Sequence, residues 1–162
     1  MTTYAINGLG RIGKLALRPL LERGARIAFI NDAVGDPAMH AHLLEFDSIH
    51  GRWPAAFTAD ETSISIDGTR IPVICTRNLE ELPLDGVDVV IDCTGAFKTE
   101  DKLAPYFAAG VKKVIISAPV KDGPTANIVY GVNDDTYAPD QHHIVTAASC
   151  TTNCLAPVVK VL

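Results

Sequence analysis

Ser149-Cys150-Thr151-Thr152-Asn153-Cys154 joins a helix-capping hydroxyl to two thiols. Ser149 suits an N-cap, which predicts a helix with Cys150 in its first turn. There the unpaired N–H groups and the positive end of the helix dipole favour a thiolate, the nucleophilic form of the side chain. The same N–H groups could steady the oxyanion formed when that sulfur attacks a carbonyl. Cys154, one turn deeper, is expected to be a small buried apolar residue. Position alone leaves a second reading open, in which both are packing thiols. A zinc site is not expected, because two cysteines with no nearby histidine or third cysteine do not supply four ligands.

A second constellation lies near the N-terminus. Gly8-Leu9-Gly10-Arg11-Ile12-Gly13 is G-x-G-x-x-G placed between an apolar run and a helix-like segment. In that pattern the first glycine permits a tight turn and the second lets the backbone approach a pyrophosphate. The third lets helix pack on strand. The helix N-terminus then offers N–H groups to phosphate. An acidic residue about 20 positions on should bind ribose hydroxyls, and Asp32 stands there. Its carboxylate suits a diol and repels a 2′-phosphate, which favours NAD over NADP, although the small Ala33-Val34-Gly35 leaves space for a phosphate. Gly8 to Lys14 also begins like the phosphate loop of an NTPase. The next residue is Leu15 where a magnesium-binding Ser or Thr is required, so that reading fails.

These residues need a scaffold, and the hydrophobic pattern supplies one. Strands are predicted at Tyr4 to Ile6, Arg26 to Ile30, Val87 to Asp92, Val114 to Ser117, Ile128 to Tyr130 and Ile144 to Thr146. Helices are predicted from the glycine turn to Gly24 with a kink at Pro19, from Asp36-Pro37 to about Leu44, and from Glu100 to Ala109. Residues 63–67 and 69–74 alternate around Asp67-Gly68, a two-residue hairpin signal. Near-continuous Val/Ile strands alternating with helices predict an α/β, Rossmann-type doubly wound parallel sheet with a small antiparallel hairpin insertion between about residues 56 and 75.

The 162 residues suit one domain, and 48% hydrophobic with 20% charged is too apolar for disorder. A formal net charge of −5 argues against nucleic acid and anionic membranes as partners, since both attract basic surfaces. Four cysteines (Cys75, Cys93, Cys150 and Cys154) are too few for a disulfide scaffold. No signal peptide or membrane-length apolar run is visible, and a cytoplasmic location is expected. The sequence stops at Leu162 within an apolar, helix-like segment.

Several segments occur in the order of one family. They are residues 4–13, Asn31-Asp32, residues 46–51, residues 93–97, residues 115–119, residues 129–133, and Ser149 to Pro157. The chain resembles, over essentially its whole length, the N-terminal half of a phosphorylating glyceraldehyde-3-phosphate dehydrogenase. The resemblance implies a Rossmann domain for NAD over residues 1–150. It also implies that 151–162 open the catalytic-cysteine helix and that the substrate domain is absent. Cys150 matches the nucleophile that forms a thiohemiacetal and then a thioester, released by inorganic phosphate as an acyl phosphate. Gly8, Gly10, Arg11 and Ile12 match the pyrophosphate loop, and Asp32 the ribose acid. Arg77, Thr94 and Gly95 match the adenosine side of the cofactor, and Ser117 a position nearer the nicotinamide. Ser149 and Thr151 match substrate- or phosphate-contacting positions. The partners implied are a phosphorylated aldehyde and phosphate, in glycolysis, with a homo-oligomer (a tetramer) at full length.

Some residues depart from the family pattern. Pro19 stands where a helix former is usual, and Leu9 and Trp53 where Phe is often found. Leu43 to Asp47 with Gly51-Arg52-Trp53 are similar to members using arsenate in place of phosphate. All five histidines (His40, His42, His50, His142 and His143) precede Cys150, whereas the family's base follows it. His50 is expected to be structural or a satisfied core residue, and His142 and His143 to lie in a surface loop. The expectation is therefore half an enzyme, which binds cofactor and turns over little. The alternatives are a non-catalytic dinucleotide-binding or sensing module, and a cysteine acyltransferase or hydrolase, which would leave Asp32 unexplained.

Overall fold

A computed structural model of the chain describes residues 1–120 and 123–162. The elements in order are β1 (Thr3–Asn7), α1 (Arg11–Glu22), β2 (Arg26–Asn31), α2 (Pro37–Glu45), β3 (Phe46–Asp47) and β4 (Gly51–Arg52). They continue with β5 (Phe57–Ala59), β6 (Ser63–Ile66), β7 (Thr69–Ile74), β8 (Val89–Asp92) and α3 (Glu100–Ala108). The last are β9 (Lys113–Ile116), β10 (Thr125–Asn127), β11 (Ile144–Thr146) and α4 (Cys150–Val161).

One sheet has the order β10-β11-β9-β8-β1-β2-β7-β6-β5, and β3 and β4 pair separately. The pairings from β10 across to β7 are parallel. Alternate side chains leave opposite faces of a strand, and the core divides accordingly. Ala5 and Phe29 pack on one face with Leu103 and Tyr106 of α3. Ile6 and Ile30 pack on the other with Leu17 of α1 and Leu44 of α2. The sheet is thus covered on both sides, as a doubly wound fold requires.

The hairpin forms as predicted, with Asp67 (φ 48°) and Gly68 (φ 80°) at its turn, the positive-φ pair that a tight hairpin needs. It is not a separate flap. β7 also pairs in parallel with β2, so the hairpin extends the main sheet. Asp36 caps α2 by accepting from Met39 N, with Pro37 at the first helical position. Pro19 lies inside α1, which continues to Glu22.

The strand predicted at Ile128 to Tyr130 is placed wrongly: β10 is Thr125–Asn127. Ile128 N makes one last bond, to Thr146 O. Asn133 Oδ1 then takes the Val129 N–H, and its Nδ2 donates to Asn127 O. That side chain replaces the neighbouring strand and turns the backbone, leaving Tyr130 89% exposed. Among the described residues no helix is long and apolar enough to cross a membrane.

Candidate functional site

The three glycines of the first turn are required for different reasons. Gly8 has φ +91°, and a Cβ there would lie 2.7 Å from both Cys93 C and Thr94 N. A Cβ on Gly13 would lie 2.0 Å from Gly8 O, so strand and helix meet backbone to backbone. Gly10 has an ordinary φ of −70°, and its Cβ would meet nothing within 4 Å. Nothing in the chain itself needs that glycine. The open space above it fits a ligand that presses on the backbone, as a pyrophosphate does. Gly10 is the N-cap of α1, with no capping side chain and no acidic residue in the first turn. No group of α1 itself caps this helix end, an arrangement that suits an anion.

Asp32 lies just past the end of β2. Its Oδ2 accepts from Leu9 N at 2.8 Å and its Oδ1 from Val34 N at 3.0 Å. The acid is thereby tied to the glycine turn 23 residues earlier. Between them opens a cleft of about 430 Å³ at the C-terminal ends of β1, β2 and β8. This is the switch point where open α/β sheets bind ligands, because β1 neighbours both its successor β2 and the distant β8. Gly8, Gly10, Asp32, Arg77 and Thr94 all line the cleft. Gly95 follows Thr94 with φ +69°. Arg11 and Ile12 are exposed at the start of α1. Ser117 follows β9 and reaches Cys93 with its side chain.

Beneath the cleft runs a buried polar network. Asn7 Oδ1 accepts from Asn31 Nδ2 at 2.6 Å, and Asn7 Nδ2 donates to Tyr106 Oη at 2.6 Å. Tyr106 O–H donates to Asp92 Oδ2 at 2.8 Å. The other Asp92 oxygen accepts from Thr94 N and Thr94 Oγ1. Asn31 also exchanges hydrogen bonds with the Thr76 backbone, fixing the loop that carries Arg77. Burial raises the Asp92 carboxyl above its usual range, against the opposing bonds from Thr94 and Tyr106. Burial likewise pushes the Tyr106 hydroxyl up. The sequence reading missed this network. A signal existed, since β1, β2 and β8 each end an apolar run on a polar residue, and Asn7 is in register with both Asn31 and Asp92.

The cysteine helix forms as predicted at its start. Ser149 Oγ accepts from Thr152 N at 3.0 Å, and Cys150 opens α4 as an exposed residue. Asn153 Nδ2 donates to Ala147 O and Ser149 O, locking the entry turn. Thr151 lines an apolar groove along α4 with Val132, Leu155 and Val159.

One expectation fails here, and another is narrowed. Cys154 is exposed, because α4 buries none of its residues in this chain. The half-buried cysteine is Cys93, whose thiol burial pushes up to about 11. Of the two readings of His50, the core one is excluded, since the residue is exposed. Its backbone N–H donates to Asp47 Oδ1 at 2.7 Å with Nδ1 3.2 Å from the same oxygen, a local structural role, and the core histidine is His40. The remaining rings also have partners away from the cysteine helix. His42 packs on Phe46, His142 Nδ1 accepts from Ala138 N, and His143 Nδ1 lies 3.1 Å from Lys112 O.

A family model described as glyceraldehyde 3-phosphate dehydrogenase, NAD binding domain, matches residues 2–100. Glyceraldehyde-3-phosphate dehydrogenase 3 of Nostoc is 49% identical over 164 residues, covering 97% of this chain and 47% of that protein. Glyceraldehyde-3-phosphate dehydrogenase of Streptomyces coelicolor is 48% identical over 161 residues, with the same two coverages. The Pseudomonas aeruginosa protein of that name is 49% identical over 164 residues, covering 98% and 48%. The chain spans about half the length of the curated relatives it matches.

Proposed function

The chain belongs to the glyceraldehyde-3-phosphate dehydrogenase family, matching its NAD-binding domain, and from that premise we propose how its residues serve the reaction. Residues 1–150 hold NAD, and 151–162 open the helix that presents the reactive thiol. The observation that carries this reading is Asp32, held by Leu9 N on the rim of a cleft floored by Gly8 and Gly10. Gly10 and the α1 N-terminus take the pyrophosphate, Asp32 the adenosine ribose, and Arg77, Thr94 and Gly95 the adenosine side. Arg11 and Ile12 complete the turn, and Ser117 stands toward the nicotinamide.

Bound NAD supplies the hydride acceptor. The chain supplies the thiol: Cys150 attacks the aldehyde carbon of a phosphorylated aldehyde, and the α4 N–H groups receive the oxygen that becomes negative. Loss of hydride leaves a thioester on Cys150, and inorganic phosphate displaces the sulfur to give an acyl phosphate. Ser149 and Thr151 flank the sulfur and suit substrate or phosphate oxygens. No histidine of the 162 residues faces Cys150, so these residues bind NAD and turn over little by themselves. Within the whole protein, an oligomer working in the cytoplasm, the base comes from outside this segment.

Alkylation of the chain by iodoacetamide, followed site by site by mass spectrometry, tests the role of Cys150. Cys150 should react well ahead of Cys75, which is also exposed but sits at the end of β7 without a helix dipole. Equal rates would favour a non-catalytic binding module. Robust aldehyde-dependent NADH formation by the 162 residues would refute the need for an external base.

A further inference from the structure

His40 is 2% exposed, one turn into α2. Its Nε2 lies 3.0 Å from the Val34 carbonyl, and a carbonyl only accepts, so Nε2 carries the proton. Nδ1 is then a bare lone pair, buried without a hydrogen-bond partner among the described residues. Its helix neighbours Ala41 and Leu44 are apolar and belong to the core. A leucine would fill the same place without an unpaired nitrogen. What the ring offers beyond packing is the bond from Nε2.

That bond falls on the loop carrying the ribose acid. Val34 accepts from His40 through its carbonyl and donates its N–H to Asp32 Oδ1. Asp32 Oδ2 in turn accepts from Leu9 N. One line of contacts therefore runs from α2 through Val34 and Asp32 to the glycine turn. Gly35 presses the loop on the same ring: its φ is +96°, and a Cβ there would lie 3.0 Å from His40 Nε2 and 2.0 Å from Met39 Cε. Asp32 and Ala33, next to Val34 in the chain, line the cleft.

We propose that His40 is a positioning residue for cofactor choice. By holding the Val34 carbonyl it keeps the Ala33–Gly35 loop down and turns the Asp32 carboxylate toward a vicinal diol. A 2′-phosphate then meets both the charge and the closed loop. This inference rests on the NAD reading above.

The test titrates the 162-residue chain with NAD, NADP and ADP-ribose, and follows amide exchange at Val34. His40→Leu keeps the apolar volume but loses the donor, and His40→Gln keeps a donor near the Nε2 position. In His40→Leu, NAD and ADP-ribose should weaken alike, by about tenfold, the worth of one hydrogen bond. NADP should weaken less, so the preference narrows, and Val34 exchange should quicken. His40→Gln should restore most of each. In the wild-type chain, nitrogen NMR should find the Nε2–H tautomer, and an Nδ1–H ring overturns the proposal even if His40→Leu does not fold. An unchanged NAD to NADP ratio with unchanged Val34 exchange would show a ring that only fills space. A larger loss for NAD than for ADP-ribose would place the effect away from the adenosine side and also overturn it. A wild-type chain that binds none of the three ligands overturns the cofactor reading itself, and this inference with it.

Discussion

Gly8 and Gly10 stand two residues apart, yet substitution should separate their roles. Gly8→Ala forces a Cβ into the Cys93–Thr94 backbone at positive φ and should cost about 3 kcal/mol of folding stability. Gly10→Ala meets nothing and should cost about 1 kcal/mol or less, while weakening NAD at least tenfold by occupying the pyrophosphate's space. Urea unfolding and calorimetric titration of the two variants read the two effects separately. Residues of this kind were legible in the sequence, because Gly8, Gly13, Asp32 and Ser149 act through local backbone geometry that spacing encodes. Cys154 was not. Whether a helical residue is buried depends on what lies against the helix, and among the described residues none buries that side of α4.

At the scale of elements, the strand ends matter most. β1, β2 and β8 deliver Asn7, Asn31 and Asp92 to one level beneath the cleft, and α3 brings Tyr106 down to bridge them. Burial raises the Asp92 carboxyl in the fold above its value in the unfolded chain. Its charge therefore opposes folding at neutral pH. That opposition relaxes as pH falls through the raised value and is gone below the ordinary carboxylate value of about 3.9. Asp60 and Asp88 act in the opposite sense. Hydrogen bonds from Thr62 N and Ser63 lower the first, and bonds from Lys112 and Thr3 N lower the second. Their stabilisation is present above the ordinary value and is lost as pH falls through the lowered ones. Asp92→Asn removes only the first effect, so urea melts from pH 7 to about 4 should show the stability difference shifting toward wild type. The order of elements was legible from Val/Ile runs and glycine stops. The offset of β10 was not, because Ile128 to Tyr130 is apolar enough for a strand and is turned aside by the side chain of Asn133.

Across the whole molecule, two cores hold a single sheet, one under α3 and the other under α1 and α2. α4 is tied on through Lys160, which donates to Gly131 O and Val132 O, but belongs to neither core, with Leu155 60% exposed and Val159 61% exposed. Leu155→Gln with Val159→Gln should therefore leave thermal stability within about 0.5 kcal/mol per site, since both side chains are mostly exposed and only their contact along the groove with Val132 is lost. A large drop would show that α4 is part of this core after all. The cleft depends on no residue of α4, so cofactor binding should belong to the chain itself. The most direct measurement is calorimetric titration of the 162-residue chain with NAD, beside Asp32→Ala. The expected result is one NAD per wild-type chain and at least a tenfold loss in a folded Asp32→Ala. A wild-type chain that takes up no NAD, or an Asp32→Ala variant that binds it equally well, would contradict the assignment of the cleft.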